Sequence, residues 1–113
     1  MHELALTRSV LCIALEEAAR HNAARVCRIE LLIGEYHSAL PACMQEYFRI
    51  LSRGTAAENA QLICQKIPAK IACTACGYTG CVQPHGAVCP RCHSDEIQIV
   101  DGMQFCVNTL EVE

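Results

Sequence analysis

Two Cys-x-x-Cys pairs constrain this chain more than any other feature of its sequence. Cys73 and Cys76 form the first pair, Cys89 and Cys92 form the second, and twelve residues separate the pairs. Four thiolates at this spacing can surround one ion tetrahedrally, and Zn²⁺ accepts such a cage at about 2.3 Å without preferring another geometry. Because all four ligands are thiols, no coordination position stays open for chemistry. The spacing therefore predicts a structural zinc site.

Two redox-active dithiols are the alternative interpretation of the same cysteines. A thiol oxidoreductase would oxidise and reduce its Cys-x-x-Cys pairs rapidly, whereas metal ligation blocks that reaction. Gly77 follows the first pair and Pro90 lies inside the second. Both residue types favour the sharp backbone turns that a metal-binding pair requires, and the double spacing favours zinc.

The remaining cysteines and the start of the chain indicate a reducing compartment. The chain has ten cysteines in 113 residues, but its start, Met-His-Glu, is not that of a signal peptide. Its longest apolar run, residues 10–15, is too short to span a bilayer. We therefore expect a cytoplasmic protein without a membrane partner, whose thiols bind metal or lie in the core. Core filling is expected for Cys12, Cys27, Cys43, Cys64 and Cys106, and Cys81 is expected to be a spare thiol.

The charge balance argues against nucleic acid as a partner. The formal net charge is −3. Nucleic-acid binding draws most of its affinity from neutralising phosphates with basic side chains. Around the cysteine pairs the charged residues are Lys66, Lys70 and Arg91 together with Asp95 and Glu96. This is not a basic patch, so a zinc-ribbon module for nucleic acid or for protein interaction is only the alternative function.

Hydrophobic periodicity predicts an α+β fold. Apolar residues recur at three- and four-residue steps in two segments and alternate in others. Ser38 can cap the second helix, Pro41 fits its first turn and Gly54 ends it. The predicted helices cover about 3–22 and from 39 or 41 to 52, the strands about 25–33 and 60–67, and a hairpin with a final strand 97–112.

This pattern divides the chain into a main domain and a metal module. The module, residues 68–96, is inserted between the second strand and the last segment. The main domain is therefore expected over residues 1–67 plus 97–113. We predict two helices packed on a small, about three-stranded sheet, with an inserted four-cysteine zinc ribbon.

The first three residues, Met1-His2-Glu3, form a second candidate metal site. A free α-amine, the amide nitrogen of His2 and its imidazole can bind one ion together through fused small rings. A neighbouring amide or another imidazole can add a fourth donor. A planar set of nitrogens suits Ni²⁺ or Cu²⁺ and differs from the thiolate cage in ligand type and geometry. The alternative is that His2 is an exposed terminal residue with no metal role, and the residues alone leave both interpretations open.

Several short motifs occur together along the chain, and their combination carries a resemblance. They are Met1-His2-Glu3-Leu4, Arg25-Val26, Ile33-Gly34, Arg53-Gly54-Thr55-Ala56, the two cysteine pairs with His93 after the second, and Leu110-Glu111-Val112-Glu113. In this combination the chain resembles the HypA/HybF family, the nickel metallochaperones of [NiFe]-hydrogenase maturation. The resemblance covers essentially the whole length.

The resemblance implies a non-enzymatic nickel carrier with a structural zinc. It places Ni²⁺ on the Met1 amine, His2 and the backbone of Glu3, and it places Zn²⁺ on Cys73, Cys76, Cys89 and Cys92. The implied partners are a HypB-type GTPase and the hydrogenase large subunit, and some family members also serve urease maturation. Any nucleotide-driven step must come from a partner, because the sequence has no Gly-rich phosphate-binding loop. Whether the chain is a monomer or a homodimer is left open.

Three further histidines have alternative interpretations. His85 and His93 lie within and beside the cysteine pairs. They are expected to be solvated, and the alternative is that either one enters the zinc shell when the pH falls or nickel arrives. His37 is expected to be a surface turn residue, with a role as fourth nickel donor as the alternative.

Overall fold

The computed structural model describes residues 2–82 and 88–113, in which two helices and six strands are formed. Met1 and His85 therefore lie outside the described residues. The elements in chain order are α1 His2–Arg20, β1 Val26–Gly34, α2 Pro41–Leu51, β2 Gln61–Ile67, β3 Lys70–Cys73, β4 Thr79–Cys81, β5 Ile97–Asp101 and β6 Phe105–Val112. The α+β prediction with two helices is confirmed.

Helix α1 buries one face that includes two polar residues. Val10, Ala14 and Ala18 recur at four-residue steps and are almost fully buried, as expected for the apolar stripe of a surface helix. Glu3 and Thr7 extend the same face toward the start of the helix. The Thr7 hydroxyl donates to the carbonyl of Glu3 at 2.6 Å, so its burial leaves the hydroxyl satisfied. Neither helix in the described part of the chain has the length and apolar content needed to cross a bilayer.

Helix α2 begins with proline and has no side-chain cap. Pro41 stands in the first turn, where its missing N–H is not needed. The residue preceding the helix, Leu40, is the N-cap, so the prediction of Ser38 as a cap is wrong. Ser38 lies two positions too early to accept from the first turn. Met44 and Phe48, four residues apart, bury the inner face of the helix.

The main sheet has the strand order β2-β1-β6, with β1 in the centre. Ile29, Leu31 and Ile33 of β1 are fully buried and alternate along the strand. The Gly34 N–H donates to the carbonyl of Gln104 at one end, and residues 25 and 113 exchange backbone bonds at the other. Strands β1 and β6 therefore run antiparallel, although the sequence between them includes the whole metal module.

A second sheet has the order β4-β3-β5 and carries the cysteine pairs. Strand β3 pairs antiparallel with both neighbours, with Ile71 opposite Gly80 on one side and opposite Ile99 on the other. The predicted hairpin of residues 97–100 with the final strand is therefore wrong, because β5 pairs with β3 instead. Gly102, at φ +102°, carries the chain out of this sheet toward β6 rather than turning it back on itself.

The described chain separates into two compact units. The first unit comprises residues 1–31, 39–65 and 106–113, and the second comprises residues 32–38 and 66–105. The predicted division at residues 67/68 and 96/97 stays a prediction, although β5 falls in the second unit together with the strand that it pairs with.

Within the second unit, three connecting segments cross at one point. A Cβ atom on Gly34 would lie 2.0 Å from the carbonyl oxygen of Gly102, so glycine is required for this approach. The Tyr36 N–H donates to the same carbonyl at 2.8 Å. The Glu35 carboxylate accepts from the N–H of Ala69 at 2.6 Å. Hydrogen bonds therefore join the segments that lead into and out of the second sheet.

The five cysteines expected in the core are not buried. Cys12 and Cys106 are exposed, and Cys27, Cys43 and Cys64 are half-buried. Cys12 follows the buried Leu11 and so points off the inner face of α1, while Cys106 lies on a strand at the edge of the main sheet. The core-filling prediction is therefore wrong. Cys64, like Cys106, lies on an edge strand, and Cys27, at the start of β1, donates to the exposed Glu113 carboxylate instead of packing in the core.

Candidate metal sites

The four cysteines of the two pairs come together in one cluster. Their Sγ atoms all lie within 4.8 Å of one another. Two of the approaches join the pairs, with the sulfur of Cys73 3.6 Å from that of Cys92 and the sulfur of Cys76 3.7 Å from that of Cys89. Each thiol therefore neighbours a thiol of the other pair, which is the arrangement that a four-coordinate ion requires. Within residues 2–82 and 88–113 no other group of three or more His, Cys, Asp or Glu side chains is arranged to hold a metal.

The same backbone turn presents both pairs. The Gly77 N–H donates to the carbonyl of Cys73 at 3.0 Å, and the His93 N–H donates to the carbonyl of Cys89 at 2.9 Å. The residue that follows each pair has a left-handed backbone conformation, with φ of +79° for Gly77 and +65° for His93. The first turn uses the residue type that adopts this conformation without cost, and the second does not. His93 thus occupies a backbone position that favours glycine.

Hydrogen bonds and burial give the two thiols of the second pair different pKa values. Burial would raise the pKa of Cys89, but the backbone N–H groups of Cys92 and Arg91 lower it to about 7. Those N–H groups lie 3.5 and 3.3 Å from the Cys89 sulfur. The backbone N–H of Ser94 lowers the pKa of Cys92. Burial and the hydrogen bonds with Cys76, Cys73 and Cys89 have the larger opposite effect and raise this pKa to about 12.

The donor set fits Zn²⁺. Cys73 and Cys89 are buried, with 4% and 0% of their surface exposed. N–H groups directed at the Cys89 sulfur stabilise the thiolate form, which is the form that binds metal. Four soft sulfur donors in a tetrahedral arrangement select zinc over the hard divalent cations. The residues that the spacing singled out therefore form a closed four-sulfur site.

The amino-terminal segment is built differently. His2 is the exposed first residue of α1, and Glu3 beside it is buried, with 9% of its surface exposed. The Glu3 carboxylate accepts from the backbone N–H of Leu40 at 3.3 Å. Its own backbone N–H lowers the pKa of Glu3, burial opposes this, and the Leu40 N–H and the charge of His2 lower it further. The carboxylate therefore stays ionised and holds the start of α1 beside the start of α2.

Leu40 is the residue of this region that the sequence did not indicate. It contributes a backbone N–H to the Glu3 carboxylate, and any residue except proline has that group. No side-chain pattern reveals such a contact. Only the approach of the first turns of α1 and α2 shows it.

The other candidate residues that the structure describes are not members of the cysteine cluster. The ring of His37 lies 5.2 Å from the ring of Phe105. Cys81 is exposed on β4, and its carbonyl accepts from the Tyr78 hydroxyl at 3.0 Å. His93 is exposed directly after the last cysteine. Their roles toward either metal stay predictions, and His85 lies outside the residues that the structure describes.

Comparisons with known proteins agree with one another. Residues 1–112 match the family described as "Hydrogenase/urease nickel incorporation, metallochaperone, hypA". The Hydrogenase maturation factor HypA of Dehalococcoides mccartyi is 34% identical over 113 residues, which covers 100% of this chain and 95% of the relative. The protein of the same name from Acidithiobacillus ferrooxidans is 33% identical, with 100% of both chains covered.

Two solved structures share the fold. The solution structure of the Ni metallochaperone HypA from Helicobacter pylori has a TM-score of 0.66 at 20% identity, covering 97% of this chain and 96% of that one. Another HypA solution structure has a TM-score of 0.73 at 22% identity, covering 100% and 97%. The helices and sheets thus follow a fold that these two structures share.

Proposed function

The chain belongs to the HypA family of nickel-incorporation metallochaperones for hydrogenase, and from that premise we propose that it carries Ni²⁺ at its amino terminus while a separate Zn²⁺ maintains its fold. The Met1 amine, the His2 imidazole and amide, and the Glu3 backbone would bind the nickel. Cys73, Cys76, Cys89 and Cys92 would bind the zinc.

The geometry of the four sulfurs is the observation that carries the zinc assignment. A closed thiolate cage has no position for a substrate, so a metal held there organises the chain around it. Zinc binding to such a set requires deprotonated thiols and releases its free energy as folding free energy. The zinc role is thus assigned to residues 68–96, and the nickel role to the predicted main domain, residues 1–67 plus 97–113.

The exposure of His2 supports the nickel assignment. A cargo ion has to be reached by the protein that receives it, and a side chain at the first exposed helical residue is open to such an exchange. Amides in the first turn of a helix do not donate to its hydrogen-bond ladder. A nickel ion that displaces an amide proton there leaves α1 intact. The buried Glu3 side chain fixes the backbone next to this position through Leu40.

Nickel would leave by ligand exchange. Nitrogen donors must be deprotonated to bind, so protons compete for the same site and the nickel affinity falls below neutral pH. We infer that the carrier performs no catalysis and hands nickel to the [NiFe]-hydrogenase large subunit in the cytoplasm. A HypB-type GTPase supplies any nucleotide-driven step, and a contribution to urease maturation is a secondary role of the same chemistry.

Blocking the amino terminus tests the proposal. Nickel titration calorimetry would compare zinc-loaded protein with a free Met1 amine, the acetylated protein, and the His2→Ala variant. Loss of a direct ligand exceeds the roughly 10–100-fold effect of a lost ligand-supporting residue, so both changes should weaken nickel binding by more than about a hundredfold.

The matched control is His21→Ala, which removes an exposed imidazole at the other end of α1. It should bind nickel normally, and all forms should keep their zinc. Undiminished nickel uptake by the acetylated protein would refute the terminal chelate, whatever the zinc content.

A further inference from the structure

A cleft with both polar and apolar walls lies between the second half of α2 and the start of β2, within the first unit. Its volume is about 450 Å³, and its walls include Phe48, Ser52, Glu58 and Leu62. Strand β2 is an edge of the main sheet, and the Gln45 side chain of α2 donates to its Leu62 carbonyl at 2.6 Å. The cleft uses none of the residues assigned to nickel or zinc.

Ser52 is the unusual residue of this cleft. It is fully buried, and its hydroxyl has no hydrogen-bond partner among the residues that the structure describes. Buried polar groups are nearly always paired, and each exception requires an explanation. Staggered rotamers allow the Ser52 Oγ to turn about its Cα–Cβ bond. A ligand in the cleft that brings a hydrogen-bond donor would therefore satisfy a group that the protein itself leaves unsatisfied.

The charges of the residues that line the cleft favour a ligand whose hydrogen-bond donor is positively charged. Two carboxylates, Glu46 and Glu58, line it together with one guanidinium, Arg49. Ser52 is also the C-cap of α2, where the last carbonyls of a helix carry partial negative charge. Both contributions make the potential of the cleft negative.

The carboxylates are available for an incoming cation. Arg49 contacts Glu46 at 2.8 Å, but both side chains are more than half exposed, at 61% and 65%, and such surface pairs are weak. Glu58 accepts one bond, from the Gly54 N–H at 3.3 Å. Each carboxylate can accept several hydrogen bonds, so both retain capacity for a further donor.

We propose that this cleft is a docking site for an arginine side chain of a partner protein. The guanidinium carries five donors in a planar fork that suits two carboxylates and a hydroxyl. The methylene stem of the arginine lies against Phe48 and Leu62, as long basic side chains do on apolar surface. Because Gln45 already donates to the Leu62 carbonyl at this edge of β2, the proposed contact is confined to the arginine side chain.

The experiment uses isotope-labelled, zinc-loaded full-length protein without nickel. The probe is the peptide Ala-Ala-Arg-Ala-Ala, blocked at both ends, and the matched control peptide has citrulline in place of arginine. Two-dimensional amide spectra should show saturable shifts confined to residues 45–62 with the arginine peptide. The citrulline peptide, which has the same shape but no charge, should produce much smaller shifts.

Three variants test which groups act. Glu58→Gln should weaken peptide binding about two- to fivefold, the range of a partly exposed ion pair. Ser52→Ala should weaken binding without lowering the stability of the free protein, because it removes an unsatisfied hydroxyl. Glu17→Gln, which removes a carboxylate on α1 outside the cleft, should leave binding unchanged.

Three outcomes would overturn the proposal. The first is equal shifts with both peptides, and the second is equal weakening by Glu17→Gln and Glu58→Gln. The third is a set of concentration-dependent shifts of residues 45–62 without peptide, which would assign the cleft to a second copy of this chain. None of these measurements involves nickel, so their outcome is independent of whether the proposed nickel site at the amino terminus is correct.

Discussion

The two metal regions present their donors in opposite ways. The cysteine cluster draws four sulfurs from two turns that the second sheet holds, and half of these sulfurs are on buried residues. The amino-terminal segment offers an exposed imidazole on the first residue of α1, beside one buried carboxylate. Under the proposed function, the site held by the sheet would retain its zinc, and the exposed site on α1 would release its nickel.

The largest expected effect comes from breaking the retained site. Cys73→Ser removes a buried thiol of the cysteine cluster at the end of β3, and structural zinc sites contribute on the order of 10 kcal/mol to folding. We expect loss of zinc by elemental analysis and collapse of amide dispersion in residues 66–105. Cys81→Ser is the control, because this exposed thiol lies outside the cluster. A Cys73→Ser protein with full zinc and an unchanged spectrum would show that three thiols suffice.

A smaller effect on the free energy of unfolding is expected from Glu3, at the start of α1, and this effect depends on pH. A lowered pKa means that the carboxylate stabilises the fold above its ordinary value of 4.5, and that this stability is lost as the pH falls through the lower folded-state value. Glu3→Gln should therefore be less stable than the unmodified protein at neutral pH, with the difference shrinking in acid. Urea unfolding at both pH values, with a carboxyl-carbon titration of Glu3, measures this.

The control for Glu3 is Glu16→Gln, because Glu16 is exposed on the same helix. This variant should show no comparable difference between neutral and acid pH. A folded-state pKa of Glu3 above 4.5 would contradict the prediction, since burial would then outweigh the N–H groups of Glu3 and Leu40.

The smallest expected effect compares the two turns of the cysteine cluster. A Cβ atom added to Gly77 would meet only open space, so Gly77→Ala should cost only the left-handed conformation, about 1 kcal/mol. His93→Gly should gain about 1 kcal/mol, because it removes the same strain. Chemical unfolding at a fixed free zinc concentration measures both. Destabilisation by His93→Gly would mean that the imidazole makes contacts that outweigh its backbone strain.

Local sequence patterns were sufficient to predict the cysteine cluster and the two helices, because these features depend on the spacing of nearby residues. The cysteine cluster follows from two short motifs, and both helices follow from their periodicity and from Pro41. Strand β5 was misassigned because Asp101-Gly102 has the composition of a hairpin turn. Its pairing is decided instead by β3, more than twenty residues earlier.

Contacts between distant residues were not predictable in the same way. The Glu3 carboxylate meets a backbone N–H 37 positions away, and peptide groups leave no trace in a side-chain pattern. The exposure of Cys12 and Cys106 was missed for a related reason. Residue type gives an average tendency toward burial, whereas the face of the helix or the edge of the sheet decides each case.

The antiparallel pairing of β1 with β6 has a consequence for the order of assembly. During synthesis β1 appears early and keeps one edge open until β6 emerges at the far end of the chain, and open edges invite aggregation. Pairing β1 with β6 closes a long loop, and the conformational entropy lost in closing it is smaller when the loop is effectively shorter. Zinc captured by the intervening segment would shorten that loop. If zinc occupies the cysteine cluster, as proposed, we expect the zinc supply of the cell to set how quickly the newly synthesised chain is protected from aggregation.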